Sequence, residues 1–568
     1  MAASGTFANN NTLIRMDRDG TDVESNGNRT LTSTSGSWGA PTTLAANTGK
    51  WYIEYYVNSG SSGRNVMVVP TNSAKYNEAN YNFPATGDYG IILNSSGGVY
   101  NNNDSTATQS GLTALQTGDI MAMALNLDAS PKTLQYYRNG TAIGTAENIN
   151  TNATGHFAFM IMGHNQSTMT INAGQDSSFA GAKSTGTANA ADDNGFGNFY
   201  YTPPSGFLAM CTGNLPVDEN IDPAEGSFPK EHCDHGVYSG TGTAQNITGL
   251  NFKPDCVWIS QRTTNTTSYN YQFDSTSGVN KYVQLQTAIT LTDDANTLTA
   301  FNSDGFSIGS DSNTNNSTDN YSFVAWKANG GTTSTNTDGT ITSTVQANQA
   351  AGFSIVQYNG GNGTVGHGLG KAPKWIIARP LASGTLHSVT YHPHQGTSQT
   401  GGELGYLHFG LNQQFSDYNA IWNDTVPSAT VVTVGSAGNV NDSNGIQLMC
   451  WAEIEGYSKM GFYRGNANND GPFVYCGFRP QVIILKLATG TNDWGMYTHA
   501  INDNENDGDS QVQRLDGTNG EQGGTSRAID FLSNGFKLRT SNSTFNGSSG
   551  HYIFIAYADV PYKYANPF

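Results

Sequence analysis

The chain has 568 residues, which predicts roughly three to five domains, and its 44 acidic and 26 basic residues give a formal charge of −18. An acidic surface of this kind repels phosphate, so we expect no nucleic-acid partner. Aromatic residues make up 11 % of the chain, a share that argues against a disordered protein. No apolar stretch approaches the length of about eighteen residues that a membrane-spanning helix needs, so we expect no membrane insertion.

The first eleven residues are interpreted as a short N-terminal arm. They contain no basic region followed by an apolar stretch, so they do not resemble a secretory signal. The five cysteines of the chain are too few and too widely spaced for a disulfide framework. We therefore expect buried, reduced thiols, although Cys211 and Cys233 are candidates for a pair.

Residues 12–180 consist of short segments, such as 51–57 and 120–125, in which apolar aromatic and β-branched residues recur with a period of two. This pattern is typical of half-buried strands. Runs of Gly, Asn, Ser, Thr and Asp separate the segments. Among them, Asn139-Gly140 predicts a hairpin turn because both positions tolerate positive φ. We therefore assign the chain to the all-β class, with a β-sandwich over 12–180.

Residues 181–234 are interpreted as a linker and connector. The first part, 181–198, is rich in Gly, Ala and Asn, a composition typical of linkers. The second part, 199–234, carries five prolines, which favour an extended chain. The sequence thus places folded domains on either side of this stretch.

The rest of the chain contains an internal repeat with three copies. In each copy a proline precedes an apolar run, and a later strand-like segment ends on an aromatic residue. The three pairs are Pro254 and Trp326, Pro373 and Trp451, and Pro480 and Tyr557. Their separations of 72, 78 and 77 residues are too regular for chance. We therefore predict three β modules, at 235–330, 340–455 and 456–568; within them, 403–415 is a candidate for a short helix.

The first block resembles a SPRY domain, a concanavalin-like β-sandwich. The matching segments are 49–54, 88–92, 118–120, the hairpin at 134–140 and the ending at 171–179. SPRY domains bind ligands through loops at one end of the sandwich and have no family-wide catalytic residues. The resemblance therefore implies a binding module, and we expect no enzymatic activity.

The whole arrangement, a SPRY-like block followed by Gly-Phe-x-Pro modules, looks like structural proteins of marine tailed bacteriophages. Such proteins are usually tail fibres or other virion appendages. The resemblance implies an adhesion protein of the virion, assembled in the host cytoplasm, that binds a glycan or protein on the host cell surface. Because weak sites gain strength when several copies act together, we expect a homotrimer that also contacts other virion proteins.

Two alternative functions remain open at this stage. The chain is a structural or decoration component of the virion, such as a head fibre or tail subunit, without receptor binding. Alternatively, it is a glycan-cleaving tailspike, which needs two opposed carboxylates in a groove. Glu453 and Glu455 lie two positions apart, but a solvated strand face explains them better than a catalytic pair does. Glu54 is similar, unless it is buried and hydrogen-bonded.

Four aromatic residues in polar loops of the first block are the candidate ligand-binding residues, namely Tyr76, Tyr81, Phe83 and Tyr100. Aromatic rings beside Asn, Ser and Gly suit sugar recognition, because the ring face stacks on the sugar while the polar groups take its hydroxyls. The alternative is that these rings hold long loops against the sandwich.

No cofactor is expected, but two places are candidates for a metal. His392 and His394 form an H-x-H pair whose rings would face one way on an extended chain, and threefold symmetry of a homotrimer would bring six nitrogens together. Two surface histidines in a turn are the alternative. Asp503 and Asp507 belong to an acidic loop before Gly508, where calcium could bind. Arg514 stands where an EF-hand needs a bidentate Glu, so only an irregular calcium site or a solvated acidic loop remains.

Overall fold

The fold is taken from a computed structural model of the whole chain. It describes residues 6–11, 23–33, 37–60, 64–72, 76, 91–94, 96–101, 106–149, 155–164, 166–184, 190–263, 269–396, 405–502, 510–518 and 520–565. The chain forms two compact units. The first unit comprises Met1–Pro216, Phe473–Gly477 and Tyr562–Tyr564, and the second comprises Val217–Pro472, Phe478–Pro561 and Ala565–Phe568.

The first unit contains two antiparallel sheets. The larger has the spatial order β1 (Val23–Ser25), β2 (Thr30–Thr32), β12 (Thr168–Asn172), β4 (Lys50–Ser59), β8 (Ile120–Asn126), β9 (Thr133–Arg138) and β10 (Thr141–Asn148), and β13 (Leu208–Ala209) pairs with β4 in parallel. The smaller has the order β3 (Ser37–Ala46), β11 (Phe157–His164), β5 (Asn65–Pro70), β6 (Ile91–Leu93) and β7 (Val99–Asn101). The Tyr136 hydroxyl of the larger sheet donates to the Val66 carbonyl of the smaller one at 3.5 Å.

The predicted hairpin at Asn139-Gly140 is confirmed. Arg138 and Thr141 are paired across a two-residue loop, in which Asn139 has φ 49° and Gly140 has φ 80°. Positive φ at both positions gives the turn a twist that matches the flanking strands. The local sequence thus sets the register of β9 and β10.

The stretch interpreted as a linker is partly packed against the first unit. Phe199, Ala209 and Cys211 are fully buried and cover Tyr52 and the neighbouring small residues of the larger sheet. Asp192 holds the turn by accepting hydrogen bonds from backbone and side-chain donors. The Gly- and Pro-rich composition of this stretch predicted an extended chain. Its few apolar residues instead pack against one face of the larger sheet.

The second unit contains three large antiparallel sheets. The first has the order β14 (Cys233–Ser239), β22 (Asn320–Trp326), β16 (Cys256–Gln261), β17 (Asn270–Asp274), β18 (Lys281–Gln284) and β19 (Thr292–Asp293). The second has the order β23 (Ser334–Asn336), β24 (Ser343–Asn348), β25 (Phe353–Tyr358), β32 (Ile446–Trp451), β27 (Trp375–Pro380), β28 (Val389–Tyr391), β29 (Gly405–His408) and β30 (Ser416–Asp417). The third has the order β33 (Ser458–Arg464), β41 (His551–Pro561), β35 (Phe478–Leu487), β36 (Gly495–Thr498), β37 (Val512–Arg514) and β38 (Glu521–Gln522).

The two units also contain shorter elements. The remaining strands are β15 (Gln245–Thr248), β20 (Leu298–Asn302), β21 (Gly305–Ile308), β26 (Gly363–Gly366), β31 (Val431–Val434), β34 (Phe473–Tyr475), β39 (Ile529–Leu532) and β40 (Gly535–Leu538). The α-helical turns are α1 (Ser312–Asn315), α2 (Asn419–Trp422) and α3 (Ser543–Asn546), and the 3-10 turns are Thr212–Asn214, Pro223–Glu225, Pro229–Glu231 and Thr525–Arg527. The all-β prediction is confirmed. The candidate helix at 403–415 is wrong, because Gly405–His408 is a strand paired with β28.

The three large sheets share one register around their central pair of strands. The closing aromatic of each copy pairs with the residue two positions after the repeat proline, as Trp326 with Cys256, Trp451 with Trp375 and Tyr557 with Val482. Pro254 and Pro373 precede their strands, whereas Pro480 lies at a bulge inside β35. The module boundaries given above stay a prediction.

One face of each large sheet contributes to a shared aromatic core of the second unit. Trp375 and Trp451 stack with ring centroids 4.3 Å apart. Trp326 of the first sheet lies 5.9 Å from Trp451 and 5.8 Å from Tyr557 of the third. The alternation predicted from the sequence therefore places large rings from three sheets in one interior.

All five cysteines are buried and none forms a disulfide, as expected from their apolar surroundings. Cys211 and Cys233 do not form a pair. In the described part of the chain, no helix is long and apolar enough to cross a membrane.

Candidate functional site

Glu54 of β4 is a buried carboxylate in the first unit and has no exposed surface. Its Oε2 accepts hydrogen bonds from the Tyr200 N–H at 2.8 Å and from the Asn172 amide at 3.1 Å. Its Oε1 accepts from the Tyr201 N–H at 2.8 Å and from the Tyr52 hydroxyl at 3.3 Å. Burial raises the pKa of Glu54 to about 7, although these hydrogen bonds act in the opposite direction. Of the two interpretations of this residue, the buried and hydrogen-bonded one is correct.

The two backbone groups bound to Glu54 place a cluster of half-buried aromatic side chains above it. We call Tyr56, Tyr200, Tyr201 and Lys183 the tyrosine patch. The Lys183 ammonium lies 5.3 Å from the ring centre of Tyr56 and 5.2 Å from that of Tyr200. The rings of Tyr200 and Tyr201 are 5.0 Å apart and steeply inclined. The patch thus presents aromatic faces with a cation among them.

An ion pair lies beside the tyrosine patch. Arg138 contacts Asp119 at 2.7 Å, and the Asn139 amide donates to the same carboxylate at 2.8 Å. Burial alone would raise the pKa of Asp119, but hydrogen bonds and the Arg138 charge outweigh it and hold that pKa below its usual value. Asp119 in turn adds to the effect of burial in raising the pKa of the Tyr201 hydroxyl. The hydroxyl therefore stays protonated and able to donate at neutral pH.

Gly140 fixes the position of the Tyr201 ring. A Cβ at this position would lie 2.7 Å from Cδ1 of Tyr201, so only glycine leaves room for the ring. The same residue has φ 80°, which the hairpin requires. The Asn139-Gly140 turn thus serves both the strand register and the tyrosine patch.

Sequence reasoning did not find the tyrosine patch. Tyr200 and Tyr201 lie in the stretch interpreted as a connector, and their partner Glu54 is 146 residues earlier. The available signal was a pair of adjacent tyrosines before Pro203-Pro204, together with an acid inside an apolar strand. Neither feature alone indicates a site.

Replacing Glu54 with Gln is expected to destabilise the first unit by about 2 kcal/mol at neutral pH, because the new NH₂ group faces donors and leaves one unpaired. The native pKa of about 7 exceeds the ordinary value of 4.5, so the folded unit holds its proton to higher pH than the unfolded chain. The contribution of protonated Glu54 to the free energy of unfolding is therefore complete below pH 4.5 and is lost as the pH rises towards 7. Hydrogen exchange of 199–201, corrected for intrinsic rates, measures both effects.

The matched control is Glu225→Gln, which alters an exposed carboxylate. It should leave the exchange of 199–201 unchanged. Equal protection in the Glu54 variant and the parent at pH 5 and pH 8 would contradict the assignment of Glu54 as the anchor of this segment.

Two of the four candidate ligand-binding residues of the sequence analysis lie in the described part of the chain. Tyr76 is fully buried, so it offers no exposed ring to a sugar. This position fits the alternative, in which such a ring packs inside the protein. Tyr100 is half-buried in β7, and Tyr81 and Phe83 lie outside the described residues.

The His392 and His394 pair does not have the geometry of a metal site on a homotrimer axis. His392 is fully buried, so its ring cannot face another subunit. Its Nδ1 accepts the His394 N–H at 3.2 Å, and the two rings are 5.8 Å apart. His394 packs against Phe462 at 4.7 Å. Among the described residues, no group of three or more His, Cys, Asp or Glu side chains is arranged to hold a metal.

The remaining candidates have simpler positions. Asp503 and Asp507 lie outside the described residues. Glu453 follows the end of β32, where its carboxylate accepts the Met460 N–H at 2.8 Å. Glu453 thus caps a backbone group instead of forming the solvated strand face considered above.

The family described as DUF7483, a domain of unknown function, matches residues 228–561, more than half of the chain. The chain belongs to DUF7483. The DUF7483 match runs from just before β14 to the end of β41 and so includes all three large sheets of the second unit. No curated protein matches the chain.

Solved structures similar to a part of this DUF7483 protein include three SPRY domains. The SPRY domain of human HERC1 has 19 % identity and a TM-score of 0.22, over 26 % of this chain and 91 % of that one. A human SPRY domain has 14 % identity and a TM-score of 0.20, over 26 % and 93 %. The TRIM65 PSpry domain has 10 % identity and a TM-score of 0.23, over 29 % and 92 %. Identities this low concern the fold only.

Proposed function

We propose that this chain is a non-enzymatic adhesion protein of a virion appendage, similar to a tail fibre, that binds a glycan on the host surface through the tyrosine patch. The observation that carries the proposal is the set of half-buried rings held over Glu54. Apolar ring faces stack on the CH faces of a sugar, and nearby polar groups take its hydroxyls. Lys183, Arg138 and the Tyr201 hydroxyl supply such groups.

The carboxylates around the tyrosine patch support binding more than cleavage. Glycoside cleavage needs one carboxyl group as an acid and a second one opposite to it. Glu54 is buried beneath the rings and receives four hydrogen bonds, and Asp119 is paired with Arg138. Both groups are therefore engaged in holding the patch together.

The virion location and the homotrimer belong to the same proposal. They rest on the resemblance of the sequence to phage appendage proteins and on the gain that weak sugar sites obtain from several copies. The partners would be other virion proteins and a host cell-surface receptor. A protein receptor with an exposed loop could replace the glycan, since aromatic patches also bind proteins.

Substitution of Tyr200 by Ala is expected to weaken glycan binding about tenfold, because the lost stacking contributes about 0.5–1.5 kcal/mol and its neighbour Tyr201 loses support. The measurement is a glycan array of host surface polysaccharide, followed by calorimetry on the best ligand. Tyr418→Ala, which removes a half-exposed ring of the second unit, is the control and should bind as the parent does.

The same experiment separates the alternative functions. Binding that survives both Tyr200→Ala and Tyr201→Ala would reject the patch as the site. If the parent binds no host glycan, surface protein or cell, and imaging places it inside a collar or on the capsid, the chain is a structural component. Release of reducing ends from the polysaccharide would instead establish a glycan-cleaving enzyme.

A further inference from the structure

A buried arginine in the second unit lacks an anionic partner. Arg379 lies in β27, four residues after Trp375, and only 4 % of its surface is exposed. Its Nη1 donates to the Gln284 carbonyl at 2.9 Å. Its Nη2 is completely buried and has no hydrogen-bond partner among the described residues. A guanidinium has five N–H donors, and the two on Nη2 are unused.

The electrostatic surroundings of Arg379 do not compensate its charge. Burial is the one influence on its pKa, which falls to about 9, and no carboxylate raises it. The group is therefore still charged at pH 7. An uncompensated charge in a protein interior costs several kcal/mol, so buried charges are normally paired.

The repeat provides an internal comparison. Lys486 occupies the equivalent position of the third sheet, four residues after Val482. Its ammonium nitrogen lies 2.8–3.4 Å from four carbonyl oxygens, to which its three N–H groups donate. The nearby Asp516 and Asp493 act to raise its pKa against the effect of burial. The third sheet thus surrounds its buried cation with oxygen atoms, and the second sheet does not do so for Arg379.

Two further buried polar groups, one just before β28 and one two residues after Gln284, lack hydrogen-bond partners among the described residues. Ala378 pairs with Val389, so Ser388, the residue just before β28, follows in register opposite Arg379. Its hydroxyl has no hydrogen-bond partner among the described residues. The side-chain NH₂ of Gln286, two residues after Gln284, is also unpaired. These residues are 3 % and 6 % exposed. A hydroxyl, an amide NH₂ and a guanidinium are all donors, so one acceptor could satisfy all three.

We propose that Arg379, Ser388 and Gln286 hold one small inorganic anion of about the size of chloride inside the second unit. The burial of all three side chains excludes a phosphate ester or the carboxylate of a macromolecule. The anion would neutralise the guanidinium and satisfy the Nη2, Oγ and Nε2 donors. The site lies outside the tyrosine patch and does not depend on the proposed adhesion function.

The test is thermal unfolding of the full chain in sodium chloride and in sodium gluconate at equal ionic strength, followed by tryptophan fluorescence. Chloride should raise the midpoint of the second unit by about 2 °C, in a saturable manner, because an ion that binds only the folded state stabilises it. Arg379→Met should abolish this difference between the salts. Lys486→Met, the matched variant of the carbonyl-bound cation, should keep it.

Crystals of the parent protein soaked in sodium bromide give a second readout that does not require a variant to fold. An anomalous peak at hydrogen-bonding distance from Arg379 Nη2 is expected. Equal midpoints of the parent in both salts, an unchanged salt difference in Arg379→Met, or the absence of a bromide peak would each overturn the proposal.

Discussion

Lowering the pH from 7 to 5 is expected to reduce the free energy of unfolding of the second unit by an amount on the order of 4 kcal/mol. Four histidines carry this effect. Burial lowers the pKa of His232, His499 and His551 to about 4 and that of His235 to about 3. The folded unit therefore holds neutral imidazoles, whereas the unfolded chain takes up protons near pH 6.5.

The direction of the effect follows from the lowered pKa values. The contribution of these histidines is complete above pH 6.5 and is lost as the pH falls towards 4, since the unfolded chain binds protons that the folded unit refuses. Asp516 acts oppositely, because burial raises its pKa to about 7 and acidification neutralises it in place. Burial also raises the pKa of Asp234, Asp274 and Asp311, and it also lowers the pKa of His367, His387, His392 and His408. The buried carboxylates therefore offset only part of the contribution of the buried histidines.

Urea unfolding at pH 7, 6 and 5 measures this effect through tryptophan fluorescence, since six of the eight tryptophans lie in the second unit. His551→Gln isolates one contribution, because His551 is fully buried and donates from Nε2 to the His394 carbonyl at 2.6 Å. The loss of stability between pH 7 and pH 5 should be smaller by about 1–2 kcal/mol in this variant. A second unit whose urea midpoint stays constant from pH 7 to 5 would refute the expectation.

Substitution of Trp451 by Ala is expected to cost about 3–5 kcal/mol in the second unit. Trp451 is fully buried, stacks on Trp375 at 4.3 Å and lies 5.1 Å from Phe353 and 5.9 Å from Trp326. Removal of the indole leaves a cavity bordered by rings from two sheets, and rigid rings cannot collapse into it. Urea unfolding at pH 7 measures the loss.

Two variants keep this prediction testable. Tyr418→Ala, at a side chain that is half exposed, should change stability by less than about 1 kcal/mol. Trp451→Phe retains part of the ring and covers the case in which the Ala variant does not fold; it should lose an intermediate amount. A loss of under 1 kcal/mol in Trp451→Ala would mean that the three sheets do not depend on the shared core.

Local patterns were sufficient to predict the parts of the fold that depend on neighbouring residues. Asn139-Gly140 specifies its own turn because its positive φ values are intrinsic to those residue types. The spacing from Pro373 to Trp451 is regular because these residues fix the register of two paired strands, β27 and β32. The turn signal depends on adjacent residues, and the spacing signal can be recognised because it recurs in all three copies of the repeat.

The candidate site was beyond the reach of the sequence because its parts are distant from one another. Glu54 and Tyr200, which are joined by a hydrogen bond, lie 146 residues apart in the sequence. In addition, an acidic residue within a strand is as typical of a solvent-exposed face as of a buried site. Tyr76 lies among polar residues but is buried, since burial depends on what packs over a loop. The alternation of residues around His392 predicts that its side chain and that of His394 lie on the same face of the chain. The alternation does not tell whether that face is exposed or buried.

The shared core also has a consequence for biosynthesis. The Gln481 amide donates to the Cys233 carbonyl, a contact that joins residues 248 positions apart. At roughly 5–20 residues per second, a ribosome needs roughly 12–50 s to add that length of chain. During this interval the third large sheet is not yet available to cover the tryptophans of the first large sheet. These tryptophans therefore stay accessible to chaperones. Synthesis of the third sheet, and not of any earlier repeat, therefore sets when this interior can close.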